Sequence, residues 1–212
     1  PTNTYNWTDN DVTPNIPVFV GQGKLQTGTV LEEGCSVSDT FSHFIDNDII
    51  TLLKHQTNLY ASQKIRQLRA KQALSPSCRM SEWKSVSLLE VKKFLAIIIH
   101  MSFSSRPQIQ DHWSTDPVVS CNYCPNIMGR NRFLLILSNL HLSDSSVQPK
   151  KGEPGYDPLY KVRPLIDHVA ERFKETYRPG ENVTIDEGMC KFRGRLVFKQ
   201  YMPQKPSKYG KK

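Results

Sequence analysis

The sequence predicts a mainly α-helical fold followed by a short β-hairpin. Apolar residues recur at helical spacing over 37–180, with capping and turn residues between the periodic stretches. Beyond residue 181 the period changes to two, in the segments NVTIDE (182–187) and RLVFKQYMP (195–203). The charge is uneven as well, because residues 188–212 hold eight lysines and arginines and no acidic residue.

The first part of the chain predicts a lead-in and two helical pieces. Residues 1–36 are rich in threonine, asparagine, glycine and proline without helical period, which predicts an extended or mobile segment. Ser38 or Asp39 can cap the first helix. Apolar residues at 41–53 then follow helical spacing, and a second helical piece is expected at roughly 56–73.

Three further helices are expected in the helical region. Ser87 and Glu90 have the spacing of a capping box, and the apolar run after them is so dense that its helix should be mostly buried. The next helix lies within 126–144, with these residues pointing inward: Phe133, Ile136, Leu137 and Leu140. After an exposed loop at 145–158, the last helix tolerates Pro164 only in its first turn.

No apolar run reaches the length of a membrane span, so no membrane partner is expected.

The cysteines indicate a reduced, intracellular protein. There are five, an odd number, scattered along the chain rather than arranged as a secreted disulfide framework. Cys121 and Cys124 have CxxC spacing, but no second cysteine or histidine pair lies at zinc-finger distance, so a buried or free pair is favoured over zinc. The six histidines show no ligand spacing, and Trp113 is interpreted as a packing anchor.

A carboxylate pair stands directly before the basic segment. Alternation along a strand turns Glu187 away from Asp186, so the two cannot easily share a metal ion. An aspartate at a strand end can bind Mg²⁺ for phosphoryl transfer, although these residues alone favour a solvated turn carboxylate. The basic residues that follow indicate either a polyanionic partner, with nucleic acid first, or a solvated tail.

Several segments, in this order, resemble the piggyBac transposase family of cut-and-paste DNA transposases. They are TNLYA (57–61), EVKKFLAIIIHMSF (90–103), DHWST (111–115), MGRNRFLLILSNLHLSD (128–144), YDPLYKVRPLIDHV (156–169) and PGENVTIDEGMCKFRGRLVFKQYMPQKPSKYG (179–210). The resemblance implies that residues 37–180 form a helical dimerisation and DNA-binding domain. It also implies that residues 181–212 hold the first β-hairpin of an incomplete RNase H-like α/β catalytic core.

The resemblance carries expectations about chemistry. Asp186 matches the first metal-binding aspartate of the family, whose members use divalent cations, Mg²⁺ or Mn²⁺, to nick DNA and insert at TTAA sites. The basic residues after it would contact transposon-end or target DNA: Lys191, Arg193, Arg195, Lys199, Lys205 and Lys208. The other catalytic aspartates of the family lie further downstream than these 212 residues reach, so no metal and no cleavage are expected of this chain alone.

Three functions remain open at this point. The chain is a nuclear DNA-binding protein or fragment derived from a piggyBac transposase, inactive by itself. Alternatively, it is the N-terminal portion of an active transposase in which Asp186 is a working metal ligand. In the third alternative it is a non-catalytic module that associates with an intact transposase. A homodimer is the expected assembly otherwise, and a natural truncation and a fragment of a longer protein are both compatible with the sequence.

Overall fold

The computed structural model describes residues 18–21, 23–26, 31–32, 34–118, 120–184, 190–191, 199–204 and 208–211. Within them the α-helices are α1 (Val37–Phe44), α2 (Asn47–Ala70), α3 (Leu88–Phe103), α4 (Tyr123–Ile127), α5 (Arg130–Asn139) and α6 (Arg163–Thr176). The strands are β1 (Lys24–Leu25), β2 (Tyr177–Arg178), β3 (Cys190–Lys191), β4 (Gln200–Tyr201) and β5 (Tyr209–Lys211). The predicted mainly helical class is confirmed, and the described strands form small antiparallel sheets.

Helix α1 begins earlier than predicted. The Ser36 hydroxyl accepts a hydrogen bond from the Asp39 amide at 3.1 Å, and the Asp39 carboxylate accepts one from the Ser36 amide at 3.2 Å. Such a reciprocal box makes Ser36 the cap and places Asp39 at the third helical position. The predicted cap at Ser38 or Asp39 is therefore wrong. The helix stops at Phe44, and Asp46 caps α2 by accepting from the Asp48 and Ile49 amides at 3.0 and 3.2 Å.

Helix α3 has the predicted capping box but only one buried face. The Glu90 amide donates to the Ser87 hydroxyl at 3.2 Å, and the Ser87 amide donates to the Glu90 carboxylate at 3.0 Å. The expectation of a mostly buried helix is wrong, because only one stripe of it meets α2 and α5. That stripe consists of Val91, Phe94 and Ile97, whereas the exposed apolar residues are Leu88, Leu89, Ile98, Ile99 and Phe103.

The main core lies between α2, α3 and α5. Its buried members include Ile49, Ile50, Leu53, Val91, Phe94, Ile97, Phe133 and Ile136. The rings of Phe94 and Phe133 stack with centroids 4.9 Å apart, and the Trp113 ring lies 5.0 Å from that of Phe133. The Trp113 indole also donates to the Met128 carbonyl at 2.7 Å. Trp113 is thus a packing anchor, as predicted.

The predicted inward residues of α5 are partly confirmed. Phe133 and Ile136 are buried and Leu137 is half-buried. Leu140 is exposed, because α5 ends at Asn139 and the chain turns into an extended conformation at the next residue. In α6, Pro164 occupies the first turn, where its missing amide costs no helical hydrogen bond.

Two small antiparallel sheets complete the described fold. β1 pairs with β2, with Lys24 opposite Arg178, so part of the predicted lead-in is joined to the end of α6. The second sheet has the order β3-β5-β4, with Cys190 opposite Lys211 and Gln200 opposite Gly210. Residues 182–184 of NVTIDE are not in a strand, and 185–189 lie outside the described residues. None of the described helices is both long and apolar enough to cross a bilayer.

Candidate functional site

The three-stranded sheet gathers parts of the basic segment. Lys191 is in β3 opposite Gly210 of β5. Lys208 directly precedes β5, and its carbonyl accepts a hydrogen bond from the Met202 amide at 2.8 Å. Lys199 directly precedes β4, which pairs with the other side of β5. The sheet therefore places three of the predicted DNA-contacting lysines on neighbouring pieces of chain.

The remaining predicted site residues lie outside the described part of the chain. These are Asp186, Arg193, Arg195 and Lys205, together with the side chain of Lys191. Lys199 and Lys208 are described and exposed to solvent. The metal-ligand role of Asp186 and the DNA contacts of the other residues accordingly stay predictions.

A second basic surface lies on the C-terminal half of α2. No aspartate or glutamate occurs at 49–81, whereas the same stretch holds Lys54, Lys64, Arg66, Arg69, Lys71 and Arg79. Arg66 and Arg69 are exposed and three residues apart, which puts them on one face of the helix. Ile65 and Leu68 face the other way and pack against a small buried cluster around Ala61.

The sequence contained a signal for this α2 surface that charge counting missed. Residues 1–187 hold 20 basic and 20 acidic side chains, so their sum hides the acid-free stretch within them. Among the described residues, Arg66 and Arg69 form no ion pair. Positive side chains near a helix C-terminus are also favoured by the helix dipole. Both exposed arginines are consequently available to an anionic partner.

A cluster of nitrogen and sulfur donors forms at the C-terminal end of α3. One donor atom each from His100, His112 and Cys124 lie within 4.8 Å of one another. The Cys121 sulfur lies 3.6 Å from His100 Nε2. Neither cysteine forms a disulfide, Cys124 is buried and Cys121 is half-buried, so the choice between a buried or free pair and zinc stays a prediction. The histidine partners were not predicted, since they come from segments far apart in the sequence.

Burial shapes the protonation of this cluster. Burial lowers the pKa of His112, and the positive charges of His100 and Arg106 lower it further, against a smaller opposing effect of Asp111. Burial also raises the pKa of the Cys124 thiol, and the neighbouring Cys121 adds to the rise. Around neutral pH the His112 imidazole is therefore uncharged and the Cys124 thiol protonated.

Comparison with known proteins connects the helical region and the basic sheet to one family. A family model described as transposase IS4 matches residues 36–212. The human piggyBac transposable element-derived protein 2 is 27% identical over 206 residues, which are 97% of this chain and 31% of that protein. The chain belongs to the piggyBac transposase family. Transposases of this DDE type generally use divalent metal ions.

Further piggyBac relatives agree in sequence and in fold. The human piggyBac transposable element-derived protein 3 is 30% identical over 171 residues, covering 80% of this chain and 25% of that protein. The cryo-EM structure of a piggyBac transposase synaptic complex with hairpin DNA superposes with a TM-score of 0.69 at 26% identity. The match covers 90% of this chain and 37% of that one. The chain thus spans between a quarter and somewhat more than a third of the length of these piggyBac relatives.

The piggyBac-like segment TNLYA in α2 contacts the chain just before α3 and just after α5. The Val86 amide donates to the Asn58 side-chain oxygen at 2.7 Å, and the Asn58 amide group donates to the Val86 carbonyl at 3.0 Å. The rings of Tyr60 and His141 stack with centroids 3.6 Å apart. Thr57 and Ala61 are fully buried. These contacts give the TNLYA segment a structural role in packing and require no catalytic role for it.

Arg132, in the piggyBac-like segment 128–144, forms an ion pair and a hydrogen bond within the fold. Arg132 forms an ion pair with Glu90 at 2.8 Å and donates to the Lys84 carbonyl at 2.8 Å. Burial raises the pKa of Glu90, but the Arg132 guanidinium and the Ser87 hydrogen bonds outweigh it and hold the pKa below its ordinary value. Arg132 therefore joins α5 to the start of α3.

Asp46 links the two ends of the helical region. Its carboxylate lies 2.6 Å from the Arg172 guanidinium and 3.3 Å from His168 Nε2, both on α6. Burial raises the pKa of Asp46, but the hydrogen bond from Arg172, the α2 amides and the charge of His168 together hold it below the ordinary value. The same carboxylate caps α2, so this contact fixes α6 against the start of α2.

Proposed function

We propose that these 212 residues are a DNA-binding part of a piggyBac-type transposase that acts in the nucleus. The observation that carries the proposal is the family match over 36–212, which includes the acid-free basic segment. In the described sheet, that segment places Lys191 in β3, Lys199 directly before β4 and Lys208 directly before β5. The solved relative with the same fold is a synaptic complex with hairpin DNA, which supports DNA as the partner.

The basic side chains bind the phosphate backbone. Lys191, Arg193, Arg195, Lys199, Lys205 and Lys208 contact the DNA at transposon ends and at TTAA target sites. Arginines can hold a phosphate through two parallel hydrogen bonds, and lysines act as point charges. Arg66 and Arg69 on α2 supply a second contact. Phosphate contacts of this kind position the protein without reading the base sequence.

Asp186 would bind Mg²⁺ or Mn²⁺ only together with other carboxylate ligands. One carboxylate cannot hold the two divalent cations used for strand cleavage, since each needs several oxygen ligands. The 212 residues by themselves therefore bind DNA and do not cut it. Two metal ions need further carboxylate ligands besides Asp186.

A binding measurement with charge-removing variants tests the proposal. Fluorescence anisotropy of a labelled duplex is expected to give an affinity that falls steeply with salt. The double variant Arg193→Gln/Lys208→Gln should bind more weakly and reduce the slope of log K against log salt by about 2. The matched control is Lys150→Gln/Lys151→Gln, which removes the same charge from the exposed 145–158 loop. Equal weakening by both pairs would mean that net charge alone drives binding, and no binding at low salt would refute the proposal.

A second candidate function is that of an active transposase in which these residues are one portion. It is favoured by the partial coverage of the relatives, because the chain spans 31% and 25% of two of them. In the same DNA assay with added Mg²⁺, a chain extended to the length of those relatives should nick the duplex. Asp186→Asn in the extended chain should abolish nicking and leave binding intact. Nicking by the 212 residues alone would contradict the proposed division between binding and cleavage.

The proposed assembly is a homodimer, or an association with a full-length transposase. The exposed apolar face of α3 supports it, because Ile99 and Phe103 lie four residues apart on one side of the helix and are 40% and 84% exposed. Phe41 of α1, also 40% exposed, lines the same groove as Ile99. A second copy of the chain would bury these side chains.

A further inference from the structure

Four side chains with metal-binding atoms meet beside the C-terminal end of α3. His100 lies in the last turn of α3, and His112 lies in a 3-10 turn at Ile109–Trp113. Cys124 is in α4, and Cys121 comes two residues before that helix. Three of the donor atoms lie within 4.8 Å of one another, and the Cys121 sulfur lies 3.6 Å from His100 Nε2. The fold thus brings together two imidazoles and the Cys124 thiol, with the Cys121 thiol beside His100.

These distances are close to those of a tetrahedral zinc site. Zinc binds cysteine sulfur at about 2.3 Å and histidine nitrogen at about 2.0–2.1 Å, which puts neighbouring sulfur and nitrogen donors about 3.5 Å apart. The separation between Cys121 and His100 is 3.6 Å. The donor atoms of His100, His112 and Cys124 lie within 4.8 Å of one another, and side-chain shifts of about 1 Å would bring them to zinc-binding separations.

The burial of the cluster points to a missing partner. His112 is only 3% exposed, and its Nδ1 atom has no hydrogen-bond partner among the described residues. Buried polar atoms are nearly always paired, because an unpaired one loses its hydration without compensation. Cys124 is fully buried as well. A bound cation gives these groups the partner that the surrounding side chains do not.

We propose that His100, His112, Cys121 and Cys124 bind a Zn²⁺ ion in a closed Cys₂His₂ site. Nitrogen and sulfur donors select zinc over Mg²⁺ or Ca²⁺, which prefer oxygen. Four protein ligands leave no open position, so the ion is structural rather than catalytic. It is distinct from the divalent cations proposed for Asp186, which has only oxygen to offer.

The zinc ion fastens a long connection to the core. The ligands bridge the end of α3, the 3-10 turn and the start of α4, which are separated by irregular chain. Cys124 belongs to the main buried cluster, and Trp113, directly after His112, packs on Phe133 and donates to the Met128 carbonyl. Metal binding consequently stabilises the edge of the core at which α3 and α5 meet.

The test measures metal on the full chain under reducing conditions. Mass spectrometry of the purified protein should find about one equivalent of zinc. After chelation, Co²⁺ titration should give the absorption of tetrahedral cobalt with thiolate ligands. Cys121→Ser, at a half-buried position, should weaken Co²⁺ binding about tenfold or more and remove part of the thiolate absorption. The matched control is Cys78→Ser, a half-buried free cysteine outside the cluster, which should leave the spectrum unchanged.

Thermal unfolding provides an independent readout. A chelator should lower the melting temperature of the wild-type chain and of Cys78→Ser, and should lower that of Cys121→Ser by less. Three results would overturn the proposal. One is a reduced wild-type protein with neither zinc nor a cobalt spectrum. The second is an unaltered spectrum in Cys121→Ser, which would place the metal elsewhere. The third is a chain that takes up no metal because Cys121 and Cys124 are joined by a disulfide that resists reduction.

Discussion

Asp46 shows how much a single side chain contributes when it serves two elements. One of its oxygens accepts from the first amides of α2, and the other meets Arg172 of α6 at 2.6 Å. The cap is local, whereas the ion pair joins residues 126 positions apart. The two contributions can be separated, because asparagine caps a helix about as well as aspartate but carries no charge.

At the residue scale we predict that Asp46→Asn and Asp46→Ala differ in stability. Asp46→Asn should lose the charge interactions with the partly exposed Arg172 and His168, at about 0.5–1 kcal/mol. Asp46→Ala should lose the cap in addition, at about 1 kcal/mol more. Urea denaturation monitored by circular dichroism measures both. Equal losses in the two variants would show that the cap contributes nothing.

The same carboxylate contributes an acid-sensitive part of the stability. Its pKa in the folded chain lies below the ordinary value of 3.8, so folding is favoured by the ionised form. This contribution is complete above the ordinary pKa and is lost as the pH falls through the folded pKa. Wild-type and Asp46→Asn stabilities should therefore converge below about pH 4. A difference that persisted in acid would point to another cause.

Residue-scale sequence reasoning succeeded where both partners are close in the sequence. The Ser87–Glu90 box was predicted from spacing and is present. The cap of α1 was misplaced, because Ser36, Ser38 and Asp39 are all competent caps and only the backbone path selects one. The pairing of Asn58 with Val86 had no local signal at all.

Helix α3 illustrates the element scale, at which a dense apolar run did not mean a buried helix. Val91, Phe94 and Ile97 repeat at three-residue spacing and meet the core, whereas the opposite face is exposed. Periodicity did not separate the two faces clearly, because the exposed side carries Leu89, Ile99 and Phe103 as well as Lys92 and Lys93. Which face is buried was decided by the Phe94–Phe133 stack and by the Glu90–Arg132 ion pair, which fix the rotation of α3 against α5.

At the element scale we predict that Phe133→Ala severely destabilises the helical region. Phe133 is fully buried and contacts the rings of Phe94 and Trp113, so its removal leaves a cavity and should cost about 3–5 kcal/mol. The matched control is Phe173→Ala in α6, whose side chain is 57% exposed and should cost much less. Chemical denaturation of both variants checks this. A loss below about 1 kcal/mol for Phe133→Ala would contradict the described core.

At the scale of the whole molecule, the exposed apolar side chains and the basic surfaces point to partners. Leu89, Ile99 and Phe103 of α3 are 62%, 40% and 84% exposed. Charged residues accumulate elsewhere, on the second half of α2 and along the three-stranded sheet. The apolar face suits another protein surface, and the basic surfaces suit a polyanion.

We predict that Phe103→Asp weakens the proposed homodimer. A buried aspartate without a partner would oppose association, so analytical ultracentrifugation should show the dimer dissociating at a concentration at least tenfold higher. Val147→Asp, at a residue 68% exposed in a 3-10 turn outside α3, is the matched control and should leave the dimer unchanged. A wild-type chain that stays monomeric at every concentration would contradict the homodimer.

The sequence by itself determined the helical class, the Ser87–Glu90 box, the packing role of Trp113 and the family, because each depends on local spacing or on segments in a fixed order. The tertiary structure alone decided which face of α3 is buried, which arginines are engaged in ion pairs and that His100 and His112 meet Cys124. Those features join residues that are distant along the chain. Their proximity follows from how the helices pack, which no local pattern records.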